Sequence, residues 1–113
     1  MKSKILALSK NDEFKDLIHK NKLSNKYVTI FFGTLKNKDN KKLNISFVTK
    51  KKIGNAVKRN KIKRRLKNIM NDALKVIKIN KKYSYLFMAK KNVFDDEYKV
   101  IKEHIYKDLK KIK

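Results

Sequence analysis

The chain has 113 residues and a formal net charge of +23, far more than solubility requires. Its length fits one compact domain, and a hydrophobic fraction of 41% excludes a purely disordered basic tail. Because cysteine is absent, disulfide bonds, thiolate nucleophiles and cysteine-based zinc sites are excluded. The high positive charge predicts a polyanionic partner.

The first predicted element is a short helix in the segment KNDEFKDLIHKN. Ser9 is a candidate N-cap, and Asp12 and Glu13 suit the positive end of the helix dipole. The apolar stripe of this helix contains Phe14, Leu17 and Ile18.

Two strands are predicted next. The segment KYVTIFFGTL is rich in β-branched and aromatic residues, and its two alternating sets, 28/30/32 and 27/29/31, are both apolar or aromatic. We expect the first set to face the core and the second to face a cleft. After a polar turn at 36–42, LNISFVTK reads as a second strand, and we predict that the two strands pair as a hairpin.

A long helix should run from about Asn55 to about Ile79, followed by a strand in YSYLFMAK and a last helix with Asp95 near its N-cap. The inward positions of the long helix are Ile62, Leu66, Ile69, Met70, Ala73 and Ile77, and those of the last helix are Tyr98, Ile101, Ile105, Leu109 and Ile112.

The predicted order is therefore α-β-β-α-β-α, an α+β fold with a small sheet and three helices, in which a βαβ crossover surrounds the long helix. We expect residues 1–113 to form a single domain, with residues 1–8 and 112–113 disordered; the basic segment at the start of the long helix gives this domain its expected RNA-binding function. By the general rule a parallel crossover would be right-handed.

The start of the long helix lies in KKIGNAVKRNKIKRRLKN, which has no acidic residue among its lysines and arginines. Like charges recur at i,i+4 spacing, and cations occupy the first turns, where the helix dipole disfavours them. An ordinary solvated face is the alternative, but such faces mix charges of both signs. The pattern therefore favours a nucleic-acid contact, and the strands favour structured RNA over a small helical DNA reader.

This segment resembles the signature of the bacterial ribonuclease P protein component, in which a lysine-rich strand end, a glycine, Ala-Val and Arg-Asn-x-x-Lys-Arg open a long helix. The matching residues are Lys51, Lys52, Gly54, Ala56, Val57, Arg59, Asn60, Lys63 and Arg64. At positions 61 and 67, where the family often has Arg, this chain has Lys, which keeps the charge but not the bidentate geometry.

The resemblance implies a ribosomal protein S5 domain 2-like fold with a left-handed βαβ crossover. It also implies the small subunit of an enzyme whose RNA removes the 5′ leader of precursor tRNA, with Mg²⁺ held mainly by the RNA and no catalytic or metal-binding residue in the protein. The implied contacts to the RNA subunit are Lys51, Lys52, Asn55, Lys58, Arg59, Asn60, Lys63, Arg64, Arg65 and Lys67.

The resemblance further implies a cleft for the single-stranded leader between the first helix and the sheet. The residues in the matching region are Phe14, Ile18, Tyr27 and Phe31. Aromatic rings there would stack on leader bases. Read without the resemblance, Phe14 and Ile18 fit core positions equally well.

Other readings remain open. His19 and His104 are isolated and fit surface histidines better than ligands, and the cluster at 95–97 suits helix capping better than metal binding. A ribosomal or general RNA-binding protein would share the basic helix without the leader cleft. A third reading is that the long basic helix binds a membrane surface, but the apolar stripe of this helix is needed to form the core with the sheet. With no membrane-length apolar run and no convincing signal peptide, we expect a cytoplasmic protein, monomeric on its own.

Overall fold

The computed structural model describes residues 5–8, 12–36 and 38–112, which form a five-stranded sheet with helices on both faces. The strands are β1 (Ile5–Leu6), β2 (Asn21–Ser24), β3 (Val28–Gly33), β4 (Leu43–Val48) and β5 (Ser84–Ala89). The helices are α1 (Asp12–Ile18), α2 (Ala56–Val76), α3 (Asn92–Asp95) and α4 (Tyr98–Leu109), and a 3-10 turn covers Lys51–Ile53. The predicted α+β class is confirmed.

The strand order in the sheet is β1-β4-β5-β3-β2. β4 and β5 are parallel and are joined through α2, which confirms the predicted βαβ crossover, while its hand remains an expectation of the resemblance. The predicted hairpin between β3 and β4 is wrong, because β5 lies between them and pairs antiparallel with β3. The antiparallel neighbour on the other side of β3 is β2, which the sequence analysis did not predict.

The main core lies between one face of the sheet and the helices α2 and α4. Ile30, Ile45 and Phe87 are fully buried on this face. The helices contribute Ile62, Leu66, Ile69, Met70, Ala73, Ile101, Ile105 and Leu109. Burial of this apolar area is the main favourable term in folding, and it fixes which side of α2 remains exposed.

A smaller cluster covers the opposite face of the sheet. Leu17 of α1 is fully buried against Leu86 of β5, and Phe14, Phe31 and Val48 pack around them. Both faces of β3 are therefore covered, as its two apolar residue sets require. The cluster also places α1 beside the middle of the sheet.

Two helix boundaries differ from the predictions. α2 ends at Val76, with Ile77 as its C-cap, so the predicted end near Ile79 is wrong. The last helix is divided into α3 and α4, and Asp95 is the last residue of α3 rather than the N-cap of a longer helix. Glu97 holds the N-cap position of α4 without a side-chain capping bond.

The disorder expected for residues 1–8 and 112–113 stays a prediction, and the described residues near both ends pack against the fold in this structure. Ile5 and Leu6 pair in parallel with Leu43 and Asn44, and Leu8 and Ile112 are buried, because apolar side chains near both ends complete the core. Residues 1–4 and 113, together with the predicted N-cap Ser9, lie outside the described residues.

Candidate nucleic-acid interface

The start of α2 is fixed by its N-cap. Asn55 is extended, and its side-chain oxygen accepts a hydrogen bond of 2.9 Å from the backbone nitrogen of Lys58. The 3-10 turn at Lys51–Ile53 leads into this cap and exposes Lys51 and Lys52 beside the helix N-terminus. Lysine ammonium groups and free backbone N–H groups therefore lie at one end of the helix, an arrangement that attracts phosphate.

The predicted RNA-contacting residues all lie between this turn and the middle of α2. The exposed ones are Lys51, Lys52, Asn55, Asn60, Lys63, Arg64 and Lys67, and the half-buried ones are Lys58, Arg59 and Arg65. No carboxylate interrupts the helix before Asp72, so the array has a single sign of charge over four turns. A solvated structural helix would gain stability from mixed pairs, and this one does not.

Arg65 has a role that the sequence analysis did not assign. Its Nη1 donates hydrogen bonds of 2.9 Å to the carbonyl oxygen of Val93 and 2.8 Å to that of Asp96. These carbonyls lie at α3 and just after it, so Arg65 ties that short helix to α2. This guanidinium is therefore used inside the fold rather than standing free on the RNA-facing side.

A groove of about 510 Å³ runs along the outer edge of β4 between α1 and α2. Phe14 lines it from α1, Lys63 and Lys67 line it from α2, and Ser46 and Val48 line it from the strand. The groove thus joins an aromatic ring to two cations of the basic helix. A single-stranded nucleic acid needs both, since bases stack on rings and phosphates seek positive charge.

The predicted cleft residues do not all lie together. Phe14 and Phe31 are half-buried in the cluster beneath α1, and Ile18 is 43% exposed at the end of that helix. Ile18 is not among the groove-lining residues, and Phe31 contacts the cluster rather than the groove itself. Phe14 and Phe31 thus lie on the α1 side of the sheet, and their role in binding a leader, like that of Ile18, stays a prediction.

The assignment of Tyr27 to the cleft is wrong. Tyr27 is 1% exposed in the main core, where its hydroxyl donates a 2.7 Å hydrogen bond to Asp96 and its ring meets His104 edge-on at 5.2 Å. The reason is a turn before β3, in which the side-chain oxygen of Asn25 accepts from the backbone nitrogens of Tyr27 and Val28. Strand alternation begins only at Val28, so position 27 does not follow it.

Two aspartates, Asp96 and Asp72, support the fold around α2 and α4. The hydrogen bond from Tyr27 holds the pKa of Asp96 below its ordinary value, with a further contribution from Lys26, and raises the pKa of Tyr27 in turn. Asp72 accepts from Tyr98, whose pKa is raised to about 12 mainly by burial. Within residues 5–8, 12–36 and 38–112, no three His, Asp or Glu side chains lie close enough to hold a metal ion.

A second cationic groove, of about 410 Å³, was missed in the sequence. Lys50 and Lys52 line it from the segment after β4, and Lys90 and Lys91 line it from the end of β5. Lys90 is held by Ser24, to whose hydroxyl its ammonium donates at 2.9 Å. The lysine at the end of YSYLFMAK and the lysine that follows it could have indicated this groove. Because β4 and β5 are parallel, their C-terminal ends lie at the same edge of the sheet, which brings the lysines that follow the two strands together.

Phe94 was also missed. Its ring lies 4.6 Å from the Nζ of Lys58 and 5.0 Å from the Nζ of Lys61, measured to the ring centroid. Nothing in the sequence indicated this contact, because it depends on how α3 folds back on α2.

Comparison with known proteins gives concordant matches. The family model described as Ribonuclease P matches residues 3–113. The ribonuclease P protein component of Carboxydothermus hydrogenoformans is 33% identical over 115 residues, covering 98% of this chain and 94% of the relative. That of Fusobacterium nucleatum is 33% identical over 112 residues, covering 95% and 96%.

Solved structures share the fold. The RNase P protein from Thermotoga maritima superposes with a TM-score of 0.79 at 22% identity, covering 96% of this chain and 98% of that one. The RNase P protein of Staphylococcus aureus gives a TM-score of 0.74 at 22% identity, covering 94% and 93%. No helix in the described part of the chain is long and apolar enough to cross a membrane.

Proposed function

The chain belongs to the ribonuclease P protein family, and we propose that it binds the catalytic RNA subunit and the 5′ leader of precursor tRNA, thereby assisting the maturation of the tRNA 5′ end. The observation that carries this proposal is the acid-free cationic array on the 3-10 turn and the first half of α2.

Contact with the RNA subunit is assigned to the exposed cations and amides of that array. Arg64, Lys63 and Lys67 are exposed and neutralise phosphates, while Lys51 and Lys52 add charge at the helix N-terminus. This neutralisation removes the repulsion that the array generates within the free protein. Asn55 contributes by capping α2, and Arg65 contributes by holding α3.

The leader is assigned to the groove between α1 and α2. Its Phe14 ring offers a stacking surface for a base, and Lys63 and Lys67 on the other wall offer charge for the backbone. Phe31 packs with Phe14 in the cluster beneath α1, next to the groove-lining ring, and Ile18 is exposed at the end of the same helix. Stacking of this kind tolerates different sequences, because every base has a flat face.

In this proposal catalysis belongs to the RNA. The Mg²⁺ ions that the reaction uses would be held mainly by RNA phosphates, whose oxygens are of the kind that Mg²⁺ prefers as ligands. The protein binds and orients its partners as a monomer in the cytoplasm, where precursor tRNA is processed, without binding membranes.

The test is cleavage of a 5′-extended precursor tRNA at low magnesium by a bacterial ribonuclease P RNA, with and without this protein. We expect marked rescue of cleavage by the protein and no cleavage by the protein alone. Tight, salt-dependent RNA binding without rescue of a cognate RNA would instead support the alternative, a ribosomal or general RNA-binding protein.

A further inference from the structure

One flank of α2 faces α3 instead of open solvent. Lys58, Lys61 and Arg65 are spaced at i, i+3 and i+7, so their side chains leave the helix in nearly the same direction. Three cations on one ridge repel one another, and no carboxylate of α2 lies near the first two. The contacts that hold this ridge come from α3.

The ring of Phe94 holds the two lysines. It lies 4.6 Å from the ammonium of Lys58 and 5.0 Å from that of Lys61, both within the range of a cation–π contact. A carboxylate at this position would attract them as well, but it would neutralise their charge and compete with phosphate. An aromatic ring orders the ammonium groups and leaves their charge available to RNA.

The position of Phe94 is itself fixed on both sides. Val93, before it, is fully buried in the main core, and Asp96, after it, accepts a hydrogen bond from the hydroxyl of Tyr27. Arg65 bonds to the backbone carbonyls of both residues. The ring therefore stands on a segment tied to the sheet and to α2 at once.

Gly54 makes room for this arrangement. A Cβ built on Gly54 would lie 2.6 Å from the Cδ of Lys58, so any larger residue must displace the Lys58 side chain. The glycine before the N-cap thus lets the lysine stem lie close to the backbone on its way to the ring.

We propose that Phe94 and Arg65 are positioning residues for RNA binding, which hold Lys58 and Lys61 in the orientation that contacts phosphate. The proposal rests on the proposed function, because it assumes that this end of α2 binds the RNA subunit. It adds Lys61 to the RNA-contacting residues and gives α3 a function. The benefit is that the two long side chains are ordered before the RNA arrives.

The first test compares Phe94→Leu, which keeps an apolar side chain but removes the ring, with Phe94→Tyr, which keeps the ring. The dissociation constant for a bacterial ribonuclease P RNA is measured against salt concentration with the full chain. We expect Phe94→Leu to bind roughly three- to tenfold more weakly with an unchanged salt slope, because every charge is retained, and Phe94→Tyr to bind as the wild type does.

A double-mutant cycle separates positioning from folding. In a Lys58→Gln/Lys61→Gln background, Phe94→Leu should cause no further loss of affinity, since the groups it positions are gone. Wild-type affinity of Phe94→Leu, or an equal loss in the double-glutamine background, would overturn the proposal.

A second measurement needs no RNA. The side-chain methylene signals of Lys58 and Lys61 should be shifted upfield by the Phe94 ring in an NMR spectrum, and Gly54→Ala should remove the shift of Lys58 while leaving that of Lys61. Absence of both shifts in the wild type would reject the positioning role alone. A wild-type protein that shows the shifts but binds no ribonuclease P RNA would reject the proposed function instead.

Discussion

The three arginines of the chain divide between RNA contact and internal support. Arg64 is exposed on the outer side of α2, and Arg59 is half-buried with an Nε that has no hydrogen-bond partner among the described residues. Arg65 is committed to the carbonyls of Val93 and Asp96. From the sequence, all three arginines were predicted to contact the RNA subunit, because charge and spacing do not reveal which guanidinium points into the fold.

Arg64→Ala tests the exposed member of this group. We expect weaker binding to the RNA subunit and a salt slope lower by about one phosphate contact, because one cation is removed from the interface. The measurement is a series of binding isotherms at several salt concentrations. Lys107→Ala, an exposed cation on α4, is the control and should leave the slope unchanged; equal effects of both variants would mean that only the net charge matters.

Phe31→Ala tests the leader region. Phe31 is half-buried against Leu17 and Leu86, so its loss should lower the free energy of unfolding by roughly 1–3 kcal/mol, less than a fully buried Phe would. We also expect a reduced preference for long leaders, with assembly on the RNA subunit intact. Unfolding curves and cleavage of substrates with short and long leaders measure the two effects.

Lost assembly in that variant, or collapse of the melting temperature, would show that Phe31 serves only the core. Phe31→Leu is the matched control, since it keeps apolar contact in the cluster but removes the ring that would stack on a base.

Tyr27→Phe tests the hydrogen bond to Asp96. Because this bond lowers the pKa of Asp96 in the folded state, its contribution is present above the unfolded pKa and is lost as the pH falls through the folded pKa. The variant should therefore be less stable than the wild type at neutral pH, and the difference should shrink below about pH 4. Urea unfolding from pH 7 to pH 2 measures it, and a difference independent of pH would contradict the assignment.

At the scale of elements, the long basic helix is the part whose start and surroundings matter most. α2 begins with a capped turn. One side of the helix packs in the main core, and the cationic array occupies the rest of its surface. This helix also connects the parallel strands β4 and β5. Its apolar stripe packs in the main core against the sheet, and this packing fixes the direction of the helix axis. A rigid cationic helix of this kind loses little conformational freedom when it meets RNA.

Asn55→Ala tests the start of α2. We expect a loss of about 1 kcal/mol in the free energy of unfolding, because the backbone nitrogen of Lys58 loses its side-chain acceptor. Chemical denaturation measures the change. Asn55→Ser retains a capping oxygen and should restore most of the stability; failure to do so would assign the loss to something other than capping.

Periodicity predicted the helices and the central strands of the fold well. The inward positions of α2 and α4 followed the 3.6-residue repeat, and three of the five strands, β3, β4 and β5, were predicted from their apolar, β-branched and aromatic residues. Alternation assigns side chains to faces but says nothing about which strand is the neighbour, and so the predicted hairpin between β3 and β4 was wrong.

The elements that were missed have little local signal. β2 has a single apolar residue, Leu23, and β1 is two residues long, so both depend on pairing with strands already in the sheet. α3 is four residues long and is held against α2 by bonds from Arg65 across 28 and 31 residues of sequence, which also brings Phe94 to the lysines of α2. Most of the predicted RNA-contacting residues lie on one end of α2, because the signature is local to one helix.

At the scale of the whole molecule, the net charge of +23 is distributed over a fold with a Cα radius of gyration of 13.2 Å. Such a density of like charge opposes the compact state, and bound or screening anions relieve the repulsion. Among the described residues, the ten acidic side chains form few ion pairs relative to the number of cations, and that between Lys38 and Glu13 is an example. Stability should therefore depend on the anions present.

Sulfate and phosphate test this dependence. At equal ionic strength we expect either ion to raise the melting temperature more than chloride does, because a multivalent anion binds the folded array more tightly than the unfolded chain. Thermal unfolding in matched buffers measures the difference. Equal melting temperatures would show that screening alone governs stability.

The insertion of β5 between β4 and β3 has a consequence for biosynthesis. β1 with β4 and β2 with β3 form separate pairs, and only residues 84–89 join them into one sheet. While the chain is being synthesised, α2 therefore leaves the ribosome before the sheet that covers its apolar stripe is complete. The apolar stripe of α2 can therefore be fully buried only after residues 84–89 have left the ribosome, whereas its cationic face, which the finished fold leaves exposed, can meet RNA before and after that step.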